Sequence, residues 1–182
     1  ENVSPGESSL PSGTGIVYLL PDGGVSSVVA TGSNSDWPSD FEADTVWLED
    51  VGVVLLQREV PEHVNVEVAR AARERGIPVM QDIGGEDRPI SDDLVSSVTF
   101  LTPNRTELGR ITGKPVDTLE QVMDAARSLL NRMAKNVLVT LGSEGSILLT
   151  SEGDVVTQPA FSPEALGLST VDETGAGDCF RA

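Results

Sequence analysis

The sequence is short of positive charge. Its 182 residues carry 12 lysines and arginines against 29 aspartates and glutamates, a formal net charge of −17, and Lys114 and Lys135 are its only lysines. An acidic surface of this size repels the nucleic-acid backbone and anionic lipid headgroups, which excludes both as partners. Any anionic substrate must be held by a local site working against the overall field. Cysteine is nearly missing too: Cys179 stands alone, which excludes an intramolecular disulfide framework and suits a reducing compartment. No apolar run approaches the roughly 18 residues of a membrane span. The glycine pattern follows neither G-x-G-x-x-G nor the Walker form, so a dinucleotide-binding reading has little support. There is one histidine, His63, on the polar approach to a helix, which assigns it to the surface or a cap. Internal repeats and low-complexity tracts are absent.

What is present suits a folded domain. Apolar residues make up 38% and charged residues 23%, well short of a disordered composition. The length allows one domain, or one with a small appendage, and a sizeable core. Residues 1–13 are rich in Ser, Gly and Pro and read as an irregular lead-in. Two β-branched runs around Pro21-Asp22-Gly23-Gly24 then predict a hairpin. From Val53 onward strands alternate with helices. The solid run Val53–Leu56 predicts a covered strand. Val64, Val68, Ala71 and Ala72 mark a helix that Gly76 ends. Strands follow at Ile77–Met80, Val98–Leu101, Val137–Leu141, Ser146–Thr150 and Val155–Thr157. Helices are expected near Asp92–Ser97, at Arg105–Thr112 and at Leu119–Ala134, the last capped by Thr118. Trp37 and Trp47 are assigned to anchoring loops and core. This alternation implies an α/β fold with a mostly parallel sheet flanked by helices and antiparallel hairpins at an edge.

Three segments carry chemistry. In Val171-Asp172-Glu173-Thr174-Gly175-Ala176-Gly177-Asp178, small residues open a helix, so backbone N–H groups and the positive helix end face one spot. Gly175 and Gly177 allow a phosphate close to the backbone. Asp178, in the first turn, can take a proton from a hydroxyl attacking phosphorus, or it is simply a helix acid favoured by the dipole. Thr102-Pro103-Asn104-Arg105-Thr106-Glu107 has the spacing of a capping box; equally, its amide and carboxylate could reach a metal-bound phosphate. Thr140-Leu141-Gly142-Ser143-Glu144-Gly145 is either a hairpin turn that needs glycine or a loop lying against a nucleotide. All three sit where strands give way to loops on the carboxyl edge of the sheet, where open α/β sheets bind ligands.

DETGAGDCF at 172–180 resembles the D-T-x-G-A-G-D signature of the ribokinase-like (pfkB) carbohydrate kinases. TPNRTE resembles that family's N-x-x-E segment and TLGSEG its nucleotide loop, with matching order across residues 13–182. Within the family, GTGIVYLLPDG, SNSDWP and LLQREVPEHVN are more similar to plant-type, ribose-using members than to fructokinases or adenosine kinases. The resemblance implies a three-layer α/β sandwich over residues 34–182 with part of a small β lid over residues 1–33. It implies ATP-dependent phosphorylation of D-ribose at O5, with Asp178 as base and Gly175, Ala176 and Gly177 as the anion hole. It assigns Asn104, Thr140, Gly142, Ser143, Gly145 and Gly177 to ATP, Glu107 to Mg²⁺ through water, and Asp172 with the Thr174 carbonyl to K⁺. Glu59 and Asp178 are assigned to the sugar. Cys179 is expected to be a small packing residue.

The resemblance also implies a homodimer through the lid sheet, in the cytoplasm, or in a plastid if a targeting segment precedes Glu1. The alternatives are another sugar or nucleoside kinase of the family and a non-catalytic sugar- or nucleotide-binding regulator. Glu173 stands where the family commonly has Thr and adds charge beside the expected K⁺ site. The family's Gly-Gly motif and its C-terminal helices have no counterpart here. The chain is therefore expected to be a fragment, poorly active by itself.

Overall fold

The structure, a computed structural model, describes residues 8–19, 25–85, 88–163, 165, 167–168 and 175–181. The hairpin runs pair as β1 (Thr14–Leu19) and β2 (Val25–Ala30), a separate antiparallel sheet with Ile16 opposite Val28; its expected turn, Pro21–Gly24, lies outside the described residues. The main sheet has six strands in sequence order: β3 (Val54–Leu56), β4 (Val79–Asp82), β5 (Phe100–Thr102), β6 (Asn136–Thr140), β7 (Ser146–Thr150) and β8 (Val155–Gln158). β3 to β6 run parallel, while β7 and β8 return antiparallel. The sheet is mixed and mostly parallel, as the patterning implied.

The helices are α1 (Glu62–Glu74), α2 (Asp92–Ser97), α3 (Arg105–Thr112), α4 (Leu119–Leu130) and α5 (Ala176–Arg181). Crossovers of one hand between neighbouring parallel strands carry their helices over the same face of the sheet. Alternate strand residues therefore fill the core: Leu101, Val137, Val139 and Ile147 are fully buried against Ala69, Leu94, Leu108, Val122 and Leu129. Burying each such aliphatic side chain contributes about 1.5–3 kcal/mol. On the opposite face the row Leu55, Met80, Phe100, Leu138, Leu148 and Val156 is only partly covered. Trp37, Phe41 and Trp47 pack ring to ring at 5.1 and 6.2 Å, the anchoring role expected of the tryptophans. His63 lies in the first turn of α1 with Nε2 2.8 Å from the Pro38 carbonyl. Among the described residues no helix is long and apolar enough to cross a membrane.

Two boundaries differ from the sequence expectation for identifiable reasons. The strand expected at Ile77–Met80 begins at Val79, because α1 closes with a Schellman turn that takes Ile77. Gly76 at φ +73° donates to the Arg73 carbonyl and Ile77 to the Ala72 carbonyl. The strand consequently extends to Asp82 and puts that carboxylate at its carboxyl end. Helix α4 stops at Leu130 rather than Ala134, because the same closure forms with Met133 at φ +73° in the position that usually needs glycine.

Candidate active site

Helix α3 begins with the capping box that its spacing predicts. Asn104 Oδ1 accepts from the Glu107 N–H at 2.8 Å, and Glu107 Oε2 accepts from the Asn104 N–H at 2.7 Å. The cap uses one carboxylate oxygen and leaves the other turned toward the end of β4. A Cβ placed on Gly84 would lie 3.3 Å from Glu107 Oε1 and 3.4 Å from Asp82 Oδ1. The structural and functional readings of Glu107 are thus compatible. Burial pushes its carboxyl above the usual glutamate range, and the Asp82 charge adds to this; the Asn104 N–H, Arg181 and Arg110 pull the other way.

Asp82 was not singled out by its sequence, since the strand expected at Ile77–Met80 stops short of it. It is buried and accepts the Gly84 N–H at 2.8 Å through Oδ1. Its Oδ2 accepts from Nη1 of Arg181 on α5 at 2.7 Å. Arg181 was also missed: it follows the recognisable signature at the end of a short helix, where residue type carries little information. Here it supplies a side-chain cation at an edge that must work against the overall negative field.

The carboxyl ends of four neighbouring strands line up along this edge. After β3, buried Arg58 donates to the Pro89 carbonyl at 3.2 Å and holds the chain so that Glu59 emerges exposed beside Gly85. Next come Asp82, then Asn104 and Glu107, then Thr140. Asn104 and Thr140 form an isolated parallel bridge, with the Thr140 N–H donating to the Pro103 carbonyl at 3.1 Å. Arg105 joins the same two segments through Glu144 Oε1 at 2.6 Å. Gly142 and Ser143 are exposed in the turn after β6. Gly145 differs from them: its Cα packs against the backbone following β8, so its lack of a side chain is first a packing requirement.

A cavity of about 210 Å³ at the β3–β4 end of this edge is lined by Leu55, Gln57, Met80, Asp82, Asp178 and Arg181. The proposed base thus shares a cavity with the carboxylate at the end of β4. Gly175, Ala176, Gly177 and Asp178 are all exposed, open to an incoming ligand. Cys179 is exposed as well, which corrects its expected packing role. Asp172 and Thr174, the expected K⁺ site, lie outside the described residues, as does Glu173.

Among the described residues no three His, Cys, Asp or Glu side chains gather around one point. Glu107 keeps Oε1 outside the helix cap and turned toward Gly84, a hard oxygen donor that fits Mg²⁺, an ion usually held by one or two carboxylates together with water and phosphate.

The chain is similar to known proteins in sequence and in fold. The chain is 41% identical over 174 residues to "Ribokinase" of Arabidopsis thaliana, covering 94% of this chain and 45% of that protein. It is 30% identical over 170 residues to "Deoxyribokinase" of Salmonella typhimurium, covering 93% of this chain and 54% of that one. The solved "Structure of Arabidopsis thaliana Ribokinase complexed with Ribose and ATP" superposes with a TM-score of 0.85 at 39% identity, over 95% of this chain and 55% of that chain. The chain spans about half the length of the curated relatives it matches. The sequence profile described as "pfkB family carbohydrate kinase" matches residues 12–182, and by that match, on this fold and this edge, the chain belongs to the pfkB family of carbohydrate kinases.

Proposed function

We propose that the protein carrying this chain phosphorylates D-ribose at O5 with ATP, yielding ribose 5-phosphate and ADP. The observation that carries the reading is the alignment of Glu59, Asp82, Asn104, Glu107 and Thr140 along one carboxyl edge, with Asp178 sharing a cavity with Asp82. Similarity to a ribokinase whose structure is described with ribose and ATP supports the choice of substrates.

In this reading Asp178 accepts the proton of the sugar O5 hydroxyl as that oxygen bonds to the γ-phosphorus. The bond from the γ-phosphorus to the β,γ-bridging oxygen breaks, ADP leaves, and Asp178 returns its proton to solvent. The backbone amides of Gly175, Ala176 and Gly177 receive the charge carried by the transferring group. Glu59 accepts hydrogen bonds from the sugar hydroxyls. Asn104, Thr140, Gly142, Ser143 and Gly145 form the nucleotide side. Glu107 would hold Mg²⁺ through water, and the ion would there neutralise phosphate charge. K⁺ is assigned to Asp172 and Thr174. Residues 1–33 form part of a lid over the sugar, and the cytoplasm is the proposed place of action.

The test is ADP formation by the native protein with D-ribose, 2-deoxy-D-ribose, D-fructose and adenosine. D-Ribose is expected to give the highest kcat/KM. Asp178→Asn is expected to lower kcat about 10²–10⁴-fold with ATP binding retained. Preference for a phosphorylated sugar would count against ribose, because the sugar-side residue Glu59 is anionic. Turnover that survives in Asp178→Asn would remove the assigned mechanism.

A further inference from the structure

Helix α5 is six residues long, and all of them except Arg181 are exposed. Among the described residues, the hydrogen bonds joining this helix to the sheet come from Arg181. Its Nη1 donates to Asp82 Oδ2 at 2.7 Å and its Nη2 to the Thr102 carbonyl at 3.1 Å. Nη2 also lies 3.9 Å from Glu107 Oε2. The Arg181 and Asp82 side chains are 12% and 11% exposed, so water screens the pair only weakly. One planar guanidinium therefore bridges the carboxyl ends of two adjacent strands, with the β4 side further fixed by the Gly84 N–H on Asp82 Oδ1. A fork with two separately directed donors makes this bridge; an ammonium group would serve it only as a point charge.

The clasp depends on Gly177. A Cβ there would stand 2.9 Å from Arg181 Nη1, so this glycine leaves room for the guanidinium as well as for a ligand. Asp178 precedes Arg181 by three residues, which places the two on neighbouring turns of one helix face, and both line the same cavity.

We infer that Arg181 is a positioning residue, which clamps α5 to the ends of β4 and β5 and thereby fixes Asp178 at the sheet edge. The inference rests on the reading of Asp178 as the base. Two experiments separate the clasp from that reading. The first uses the chain itself: Cys179, the single cysteine, is exposed and accepts a nitroxide label. Arg181→Gln is expected to narrow the electron paramagnetic resonance lines as α5 loosens; an unchanged line shape overturns the clasp.

The second uses the native protein. Arg181→Gln and Asp82→Asn should each lower kcat by about tenfold or more, since an ångström of misplacement costs up to about 10²-fold. KM for ATP and sugar should change by less than about twofold, a split that loss of binding would not produce. Arg181→Lys should recover part of kcat, and the double variant should be no worse than the weaker single one. Unchanged kcat in both single variants, or fully additive losses, overturns the inference. Should the wild type show no sugar-dependent ATP turnover, the kinase reading and the positioning role fall together, while the spin label still decides whether the clasp exists.

Discussion

Gly142 and Gly145 stand three residues apart in the turn after β6, both at positive φ, yet substitution should affect them very differently. Gly142 has φ +58°, and a Cβ added there meets nothing within 4 Å. Alanine at that position costs only the left-handed backbone penalty of about 1–2 kcal/mol. Gly145 has φ +96° and ψ −132°, a region that side chains rarely enter. An added Cβ would lie 2.0 Å from the Gln158 carbonyl oxygen, 2.7 Å from the Ala160 nitrogen and 2.8 Å from the Pro159 carbonyl carbon. All three are backbone atoms, so no side-chain rotation relieves the overlap. The conformational term is about 1–3 kcal/mol, and forcing the strand end away adds about 1–3 kcal/mol more. Urea denaturation of Gly142→Ala and Gly145→Ala measures the difference. Gly145→Ala is expected to be the less stable by about 2 kcal/mol or more, a further fall in Tm of about 4–8 °C for a chain of this size. The two variants agreeing within about 1 kcal/mol would refute the packing account of Gly145 and return it to a purely nucleotide-facing role.

Two other expectations concern charge and association. Glu107 has its carboxyl held above the usual range in the folded chain, so the unfolded chain releases that proton at lower pH. Its contribution to stability therefore declines as pH rises from the ordinary glutamate range through the raised value, and stays lost above it. Glu107→Gln keeps an acceptor for the Asn104 N–H and should melt at or above wild type at neutral pH. That advantage should shrink on acidification, with Mg²⁺-dependent turnover reduced; a melting deficit that is the same at every pH would contradict it. The β1–β2 pair exposes apolar side chains on both faces, with Ile16 and Val28 at 51% and 61% on one and Val17 and Val29 at 55% and 59% on the other. A two-stranded sheet with free edges is a natural pairing surface. Sedimentation of the native protein should show a dimer that Ile16→Glu dissociates, whereas a monomer at every concentration would remove the proposed lid contact.

The alternation of strands and helices, the carboxyl-edge motifs and the Asn104–Glu107 capping box follow from local rules. Helical spacing demands one buried face, and an N-cap needs its partner three residues later. Those rules locate Asp178, Asn104, Glu107, Thr140 and Gly142 on one side of the sheet before any contact is known. Local rules fail where long-range geometry decides. Asp82 fell outside the expected strand because the Schellman closure at Gly76 shifts that strand by two residues, and the register of β4 comes from pairing with β3 and β5. Met133 in a left-handed turn defeats any propensity argument, since the hydrogen bonds that close α4 are what hold it there. Nothing near Gly145 in the sequence signals that the end of β8 and the chain after it rest against it.

The sequence by itself determined the fold class, the order of the elements and the chemical character of the edge, because these depend on periodicity and on residues close together in the chain. Tertiary structure alone decided that Arg181 and Asp82, 99 positions apart, meet beside Glu107 in a buried ion pair. Burial and charge pairing across the sheet are properties of packed neighbours, and only the folded chain brings those neighbours together.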